Sequence, residues 1–254
     1  MSDVFALSSY NVLAQSFTPF LRDVDQSFLP PEVRYPKLIQ CLLQWKHDIY
    51  ALQEVEPSFL HLVCQQLPSY TCFFAQRGKQ KPDGLAFLVG PRVEVLSVQS
   101  KTFTTPQNRP SSRLSQQLLC RLNERLFIVA QAHLSWDSQP QSSHVGLWQM
   151  KQFLAGLPLH LSDAVVLCGD WNASVGHFVP QYAIQNGFFD ALATNRYPTC
   201  WESGKPSAID HIFHSGSIQS RPLSLAKFDP LQRYPNAHHG SDHLPVGIEI
   251  LPPE

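Results

Sequence analysis

Short apolar runs of strand length recur along the whole chain, and each of several ends on a side chain able to do chemistry. The run Ala164-Val165-Val166-Leu167-Cys168, closed by Gly169, leads directly to Asp170 and Asn172. A run of that length bounded by Gly reads as a buried strand. Alternation then sends residues 170 and 172 out on one side of the strand end. Asn11, Glu54, His133, Asp210 and Ser241-Asp242-His243 stand at the ends of their own apolar segments. The recurrence predicts side chains from the first strand to the last converging on one pocket.

Periodicity and proline punctuation place the remaining elements. Strands are expected over Val4–Val12, Ile49–Glu54, 70–76, 84–89, 92–99, 117–122, 125–132, 164–168, 208–213, 221–227 and 244–250. Helices are expected over Pro36–Lys46, from Pro57 onward, over about 143–155 and near 178–186. Residues 16–36, with Pro19, Pro30, Pro31 and Pro36, read as a long irregular connection overhanging a site. Helices between strands, together with adjacent strand pairs, predict mixed sheets rather than a pure βαβ array. With no internal repeat, low-complexity segment or obvious linker, one domain over residues 1–254 is expected.

Hydrophobic residues make up 43% of the chain and charged residues 15%, a globular balance rather than a disordered one. The net charge of -1 argues against tight, nonspecific binding to long nucleic acid, which needs a sustained basic face. A short oligonucleotide or a small phosphorylated molecule stays compatible. No two of the six cysteines form a Cys-x-x-Cys pair, and Cys41, Cys120 and Cys168 interrupt apolar runs, so buried free thiols are expected. The opening residues lack a basic stretch and no apolar stretch reaches the roughly 20 residues a membrane helix needs. A soluble, cytoplasmic protein is the expectation.

Seven motifs carry a resemblance: Tyr10-Asn11-Val12-Leu13, Leu52-Gln53-Glu54-Val55, Asp83-Gly84-Leu85-Ala86, Ala132-His133-Leu134, Gly169-Asp170-Trp171-Asn172, Ile209-Asp210-His211-Ile212-Phe213 and Ser241-Asp242-His243. In order and over nearly the whole chain, they resemble the endonuclease/exonuclease/phosphatase superfamily. Ser9–Gln15 and Lys79-Gln80-Lys81-Pro82-Asp83-Gly84 resemble its deadenylase-like branch, especially the Angel and nocturnin proteins. The resemblance implies a DNase I-like α/β fold, two packed mixed β-sheets flanked by helices in a four-layer α/β sandwich. It also implies Mg²⁺-dependent cleavage of a phosphate ester, with Mn²⁺ able to substitute. No leucine-rich-repeat segment is present, so docking to a large deadenylase complex is not suggested.

The roles that follow suit the residue types independently. Mg²⁺ prefers hard oxygen ligands, and Glu54 is the first choice, with Asn11 and Asp242 near it. Asp170 accepts the proton of the attacking water or aligns that water. Asn172 donates its amide to a phosphoryl oxygen, which no carboxylate can do. His243 contacts the phosphate and Asp210 orients its ring. His133 makes a second phosphate contact, backed by Asp83. Arg109 and Arg113, in a stretch that matches the deadenylases poorly, are candidate substrate contacts. Trp201 either stacks on a base or fills a core. Trp45 and Trp148 are expected in the core, and His238 and His239 make a weak case for zinc.

The expected substrate is an RNA 3′ end or a phosphorylated nucleotide. A DNA repair-type phosphodiesterase is the alternative enzyme, and a catalytically silent RNA- or protein-binding relative the alternative class. Inositol-phosphate phosphatases rank lower, because their usual Asp-Arg is Asp210-His211 here.

Overall fold

Strands that are apolar on both faces need cover on both sides, and the amphipathic helices between them supply it. The computed structural model describes residues 4–78, 81–122, 124–202, 204–216 and 218–251. Lys79 and Gln80, from the loop motif above, lie outside the described residues. The first half of the chain runs β1 (Phe5–Asn11), α1 (Pro31–Trp45), β2 (Ile49–Val55), α2 (Pro57–Gln66), β3 (Thr71–Gln76), β4 (Gly84–Val89), β5 (Glu94–Thr104) and β6 (Pro110–Leu122). It continues with β7 (Arg125–Ala132), α3 (Val145–Ala155), β8 (Ala164–Asp170), α4 (Phe178–Gln185) and β9 (Phe188–Asp190). β10 (Cys200–Glu202), β11 (Lys205–Ser207), β12 (Asp210–Ser215), β13 (Ser220–Leu223) and β14 (Val246–Ile250) complete it.

Two six-stranded sheets result, ordered β13-β14-β1-β2-β4-β3 and β5-β6-β7-β8-β12-β9, with β10-β11 as a separate hairpin. Each six-stranded sheet is mixed. β1 and β2 pair in parallel through the crossover helix α1, and β7 and β8 do so through α3, while the other neighbours are antiparallel. Phe5, Leu7, Ile49, Phe87 and Ile248 of one sheet share a core with Leu118, Phe127, Val129, Val166 and Ile212 of the other. α1 and α2 cover the first sheet through Leu38, Leu42, Phe59 and Val63. α3 and α4 cover the second through Leu147, Met150, Phe153 and Val179. The arrangement is the four-layer sandwich expected.

This topology positions the site. The carboxyl ends of β1 and β2, and of β7 and β8, lie side by side within their parallel pairs. The antiparallel partners β12 and β14 bring their starts to the same edge: Asp210 opposes Asp170, and β14 follows directly on the 241–245 loop.

Several expectations are corrected. α1 begins at Pro31, not Pro36, because the buried stripe of Tyr35, Leu38, Ile39 and Leu42 continues back past Pro36. β5 and β6 form a longer hairpin than their apolar centres suggest, running to Thr104 and from Pro110. β9, β10 and β11, three residues each, are additional strands. Cys64 on α2 and Cys72 on β3 face one another and are joined as a disulfide, whereas Cys41, Cys120, Cys168 and Cys200 are free. Trp148 is 38% exposed, outside the core, because it falls on the solvent side of α3, while Trp45 packs partly buried against the α1–α2 core. Among the described residues no helix is long and apolar enough to cross a membrane.

Candidate active site

The strand ends bring charge together through three local devices. At the end of β2 the pairing with β4 slips between Gln53 and Val55, and Glu54 takes a positive φ of 58°. The bulge turns the Glu54 side chain out of the alternation and toward β1. At the end of β8, Gly169 has φ 132°, and a Cβ there would lie 2.0 Å from the Ala132 carbonyl. Only glycine lets β7 and β8 approach so closely, and that approach sets His133 beside Asp170. Just beyond, Asn172 has φ 50°, and its N–H donates to Asp170 Oδ1 at 2.9 Å. Asn172 is therefore placed by an Asx turn rather than by strand alternation.

Asn11 joins the two sheets. Its Nδ2 donates to Glu54 Oε1 at 3.3 Å and to Asp170 Oδ2 at 3.0 Å, while its Oδ1 accepts the Leu13 N–H at 3.0 Å. Glu54 Oε2 accepts the Ala14 N–H at 3.0 Å. His133 stands between the same carboxylates, Nδ1 3.9 Å from Glu54 Oε1 and Nε2 3.5 Å from Asp170 Oδ2. His243 donates from Nδ1 to Asp210 Oδ2 at 2.8 Å and sets Nε2 3.7 Å from Asp170 Oδ2. Ser241 holds the terminal loop against β1, its hydroxyl donating to the Asn11 carbonyl at 2.7 Å. The buried Arg34 guanidinium braces the same junction, donating to the carbonyls of Leu13 and Gly240 at 2.6 Å each.

The electrostatics follow from burial. Desolvation, with the Asp242 carboxylate adding to it, pushes Glu54 up to about 7. Burial also raises Asp170, against the opposing pull of His243. For His243 burial opposes the charge, but Asp210, Asp170 and Asp242 outweigh it and lift the ring well above its ordinary value, so it is an imidazolium. Burial, then Arg113 and Arg77, hold His133 well below its ordinary value and keep it neutral.

Carboxylates this crowded, buried and pushed upward call for a cation. Asp210 Oδ1 is buried without a hydrogen-bond partner, and ligand atoms of Asp170, Asp210 and His243 lie within 4.8 Å of one another. Glu54 is not in that group of three but is linked to Asp170 through Asn11, and the carboxylates of Glu54, Asp170 and Asp210 are hard oxygen donors that suit a cation of the magnesium type. His238 and His239 lie apart from this cluster, their backbone N–H groups donating to Asn236 Oδ1.

The candidate substrate contacts divide. Arg113, on β6, reaches the cluster: burial, and the charge of Arg77, lower it to about 10 while Glu54, Asp170 and Asp83 pull the other way. Its Nη1 is buried without a partner. Arg109 lies exposed in the β5–β6 turn and is not brought to the carboxylates. Asp83 pairs with Arg77 at 3.4 Å rather than with His133, although Arg77, Asp83 and His133 line one small recess. Arg77 was not singled out in the sequence, and its only signal there is a basic residue at the head of the loop ending in Asp83-Gly84. Trp201 is engaged: Arg233 lies 3.6 Å above its ring, and Phe228 packs at 5.4 Å.

Similarity to known proteins bears on the family and the fold. Carbon catabolite repressor protein 4 homolog 4 of Arabidopsis thaliana is 26% identical over 324 residues, 97% of this chain and 77% of that protein. Protein angel homolog 2 of Mus musculus is 25% identical over 195 residues, which take in 68% of this chain but 35% of that protein. The fold is also that of the crystal structure of ANGEL2, a 2′,3′-cyclic phosphatase, in complex with adenosine-2′,3′-vanadate: TM-score 0.80 at 20% identity, covering 97% of this chain and 95% of that one. The Endonuclease/Exonuclease/phosphatase family pattern matches residues 8–243, from within β1 to His243. The chain belongs to that family, and its chemistry is the hydrolysis of phosphate esters.

Proposed function

We propose that this chain is a divalent-cation-dependent phosphoesterase acting on RNA 3′ ends or on a nucleotide, with Mg²⁺ as cofactor and Mn²⁺ able to replace it. The observation that carries the reading is the Asn11 amide, which ties Glu54 of one sheet to Asp170 of the other. Glu54 would hold the cation, with Asp242 and Asn11 beside it. When bound, that ion neutralises charge at the phosphoryl oxygens.

The chain's own groups do the rest. Asp170, held by the Asn172 N–H and the Asn11 amide, orients the attacking water and takes its proton. His243, kept charged and aimed by Asp210, donates from Nε2 to a phosphoryl oxygen and offsets its growing charge. Asn172 Nδ2 spends one hydrogen on the Leu134 carbonyl at 2.9 Å and has a second for the phosphate. His133, neutral, offers a further donor without adding charge. Arg113, and Arg77 behind it, make the local positive field that the net charge of -1 conceals. ANGEL2, which shares the fold, is a 2′,3′-cyclic phosphatase, and this supports a nucleotide or RNA end over duplex DNA. A cytoplasmic setting supplies such substrates.

The test is a panel of short RNAs with different 3′ ends, poly(A), phosphorylated dinucleotides and damaged duplex DNA, assayed with Mg²⁺ and with EDTA. An RNA end or nucleotide should be hydrolysed fastest, EDTA should abolish turnover and Mg²⁺ restore it. A preference for duplex DNA would overturn the substrate, and metal-independent turnover the cofactor.

A further inference from the structure

We infer that Trp136 is a preformed stacking platform for the nucleobase of the substrate. The inference rests on the nucleotide reading above and adds to it what recognises the base. Two segments leave the catalytic cluster on either side. One starts at Leu134, whose N–H donates to the Asp170 carbonyl at 2.9 Å and whose carbonyl accepts Asn172 Nδ2. The other starts at Thr199, whose carbonyl accepts the Leu244 N–H at 2.6 Å, next to His243. The first leads to Trp136 and the second, through β10, to Glu202. They meet where Trp136 Nε1 donates to Glu202 Oε1 at 2.8 Å. The indole therefore borders the cluster on the Asn172 and His243 side.

Its surroundings are rigid. Ser135 is fixed by Gln149, which accepts its N–H at 2.8 Å and donates to its hydroxyl at 3.0 Å. Asp137 is fixed by the N–H groups of Val145 at 2.7 Å and Gln139 at 3.0 Å. Yet Trp136 is 58% exposed, and among the described residues no ring packs against it. A tryptophan that only filled space would be covered, since its large apolar surface favours burial. Here the edge is pinned by its one donor and the face is left open, which is what a base requires. Trp201, the other aromatic of this region, already carries Arg233 and cannot offer the same face.

Two residues, Leu134 and Ser135, separate Trp136 from His133, which makes three Cα–Cα steps. At 3.8 Å per residue between Cα atoms, about 11 Å at most lies between the two backbones. A phosphate at His133, Asn172 and His243 thus leaves its own nucleoside within reach of the indole, so the base recognised is that of the nucleotide carrying the reacting phosphate.

The experiment compares adenosine 2′,3′-cyclic phosphate with the base-free 1-O-methylribose 2,3-cyclic phosphate, in wild type, Trp136→Ala and Trp136→Phe. Wild type should prefer the nucleotide. Trp136→Ala should lose that preference by about tenfold, through KM rather than kcat, and Trp136→Phe should recover most of it. A Trp136→Ala enzyme that keeps the wild-type preference overturns the platform and leaves the nucleotide reading intact. A wild type that prefers the base-free ester overturns the platform, and one that hydrolyses neither ester nor any RNA end or nucleotide of the panel above overturns the nucleotide reading and the platform with it.

Discussion

A carboxamide shared between two carboxylates is the smallest unit of this site. Asn11 satisfies an oxygen of Glu54 and one of Asp170 at once, and its own oxygen is held by Leu13. A carboxylate at position 11 could not do this, because it has no hydrogen to give. Opposite it, His243 Nε2 lies 3.7 Å from Asp170 Oδ2, and the proposed reaction uses the two as a pair, one to take a proton and the other charged. Replacing Asp170 by Asn, or His243 by Ala, should lower turnover on an RNA-end substrate by about 10² to 10⁴-fold. Circular dichroism and thermal unfolding should still report a folded chain. Near-wild-type turnover in either variant would remove these roles. The polar residues of this cluster were legible in the sequence because each ends an apolar run. Arg77 was not, since a single arginine before a loop carries no pattern until the fold sets it beside Asp83. Nor could spacing show that Asp83 would face Arg77 rather than His133.

At the scale of elements, the site depends on how closely β7 and β8 approach. Gly169→Ala would place a methyl 2.0 Å from the Ala132 carbonyl and strain a backbone of φ 132°. The variant should lose about 3 kcal/mol of stability by urea unfolding, together with most activity, since β7 must move away from Asp170. Unfolding at the wild-type midpoint would show that the approach is not tight. Central strands were easily read: 84–89 and 125–132 keep the boundaries their apolar runs suggested, because both faces are buried. Polar or very short strands were not. β6 runs back through Ser111, Ser112 and Arg113 because its start lines the site rather than the core. β10 and β11 pair over only three residues, one of them Pro206, so neither alternation nor length betrays them. The bulge at Glu54 leaves no mark in the sequence, since a positive φ at Glu is imposed by the neighbouring strands.

For the molecule as a whole, the two sheets are held by one apolar core and by a buried chain of amides beneath the site. Gln53 donates to Gln131 and Gln131 to Gln116, each at 3.0 Å, linking strands of both sheets. Two buried histidines, His47 away from the site and His211 next to Asp210, couple the fold to pH. Burial pushes His47 down to about 4, and His211 likewise, so each is neutral when folded. At these two positions the unfolded chain takes up protons below about 6.5 that the folded chain refuses, so their contribution to stability is full above that pH. It falls between about 6.5 and 4, by up to about 3 kcal/mol for each ring. The raised carboxyls of Glu54 and Asp170 act in the opposite sense, so the histidine contribution is read as a difference: from pH 7.5 to 4.5 the urea midpoint of wild type should fall relative to that of His47→Phe, and parallel profiles would show that His47 is accessible.

The claim on which the account turns is that Glu54 and the Asp170–His243 pair share one cation-holding pocket. Electron paramagnetic resonance of free Mn²⁺, titrated with the purified chain, measures this without any substrate. Wild type should deplete the free-ion signal saturably, Mg²⁺ should compete, and Glu54→Gln should weaken uptake at least about tenfold while unfolding at a similar temperature. Equal uptake by Glu54→Gln, or none by wild type, would contradict the account.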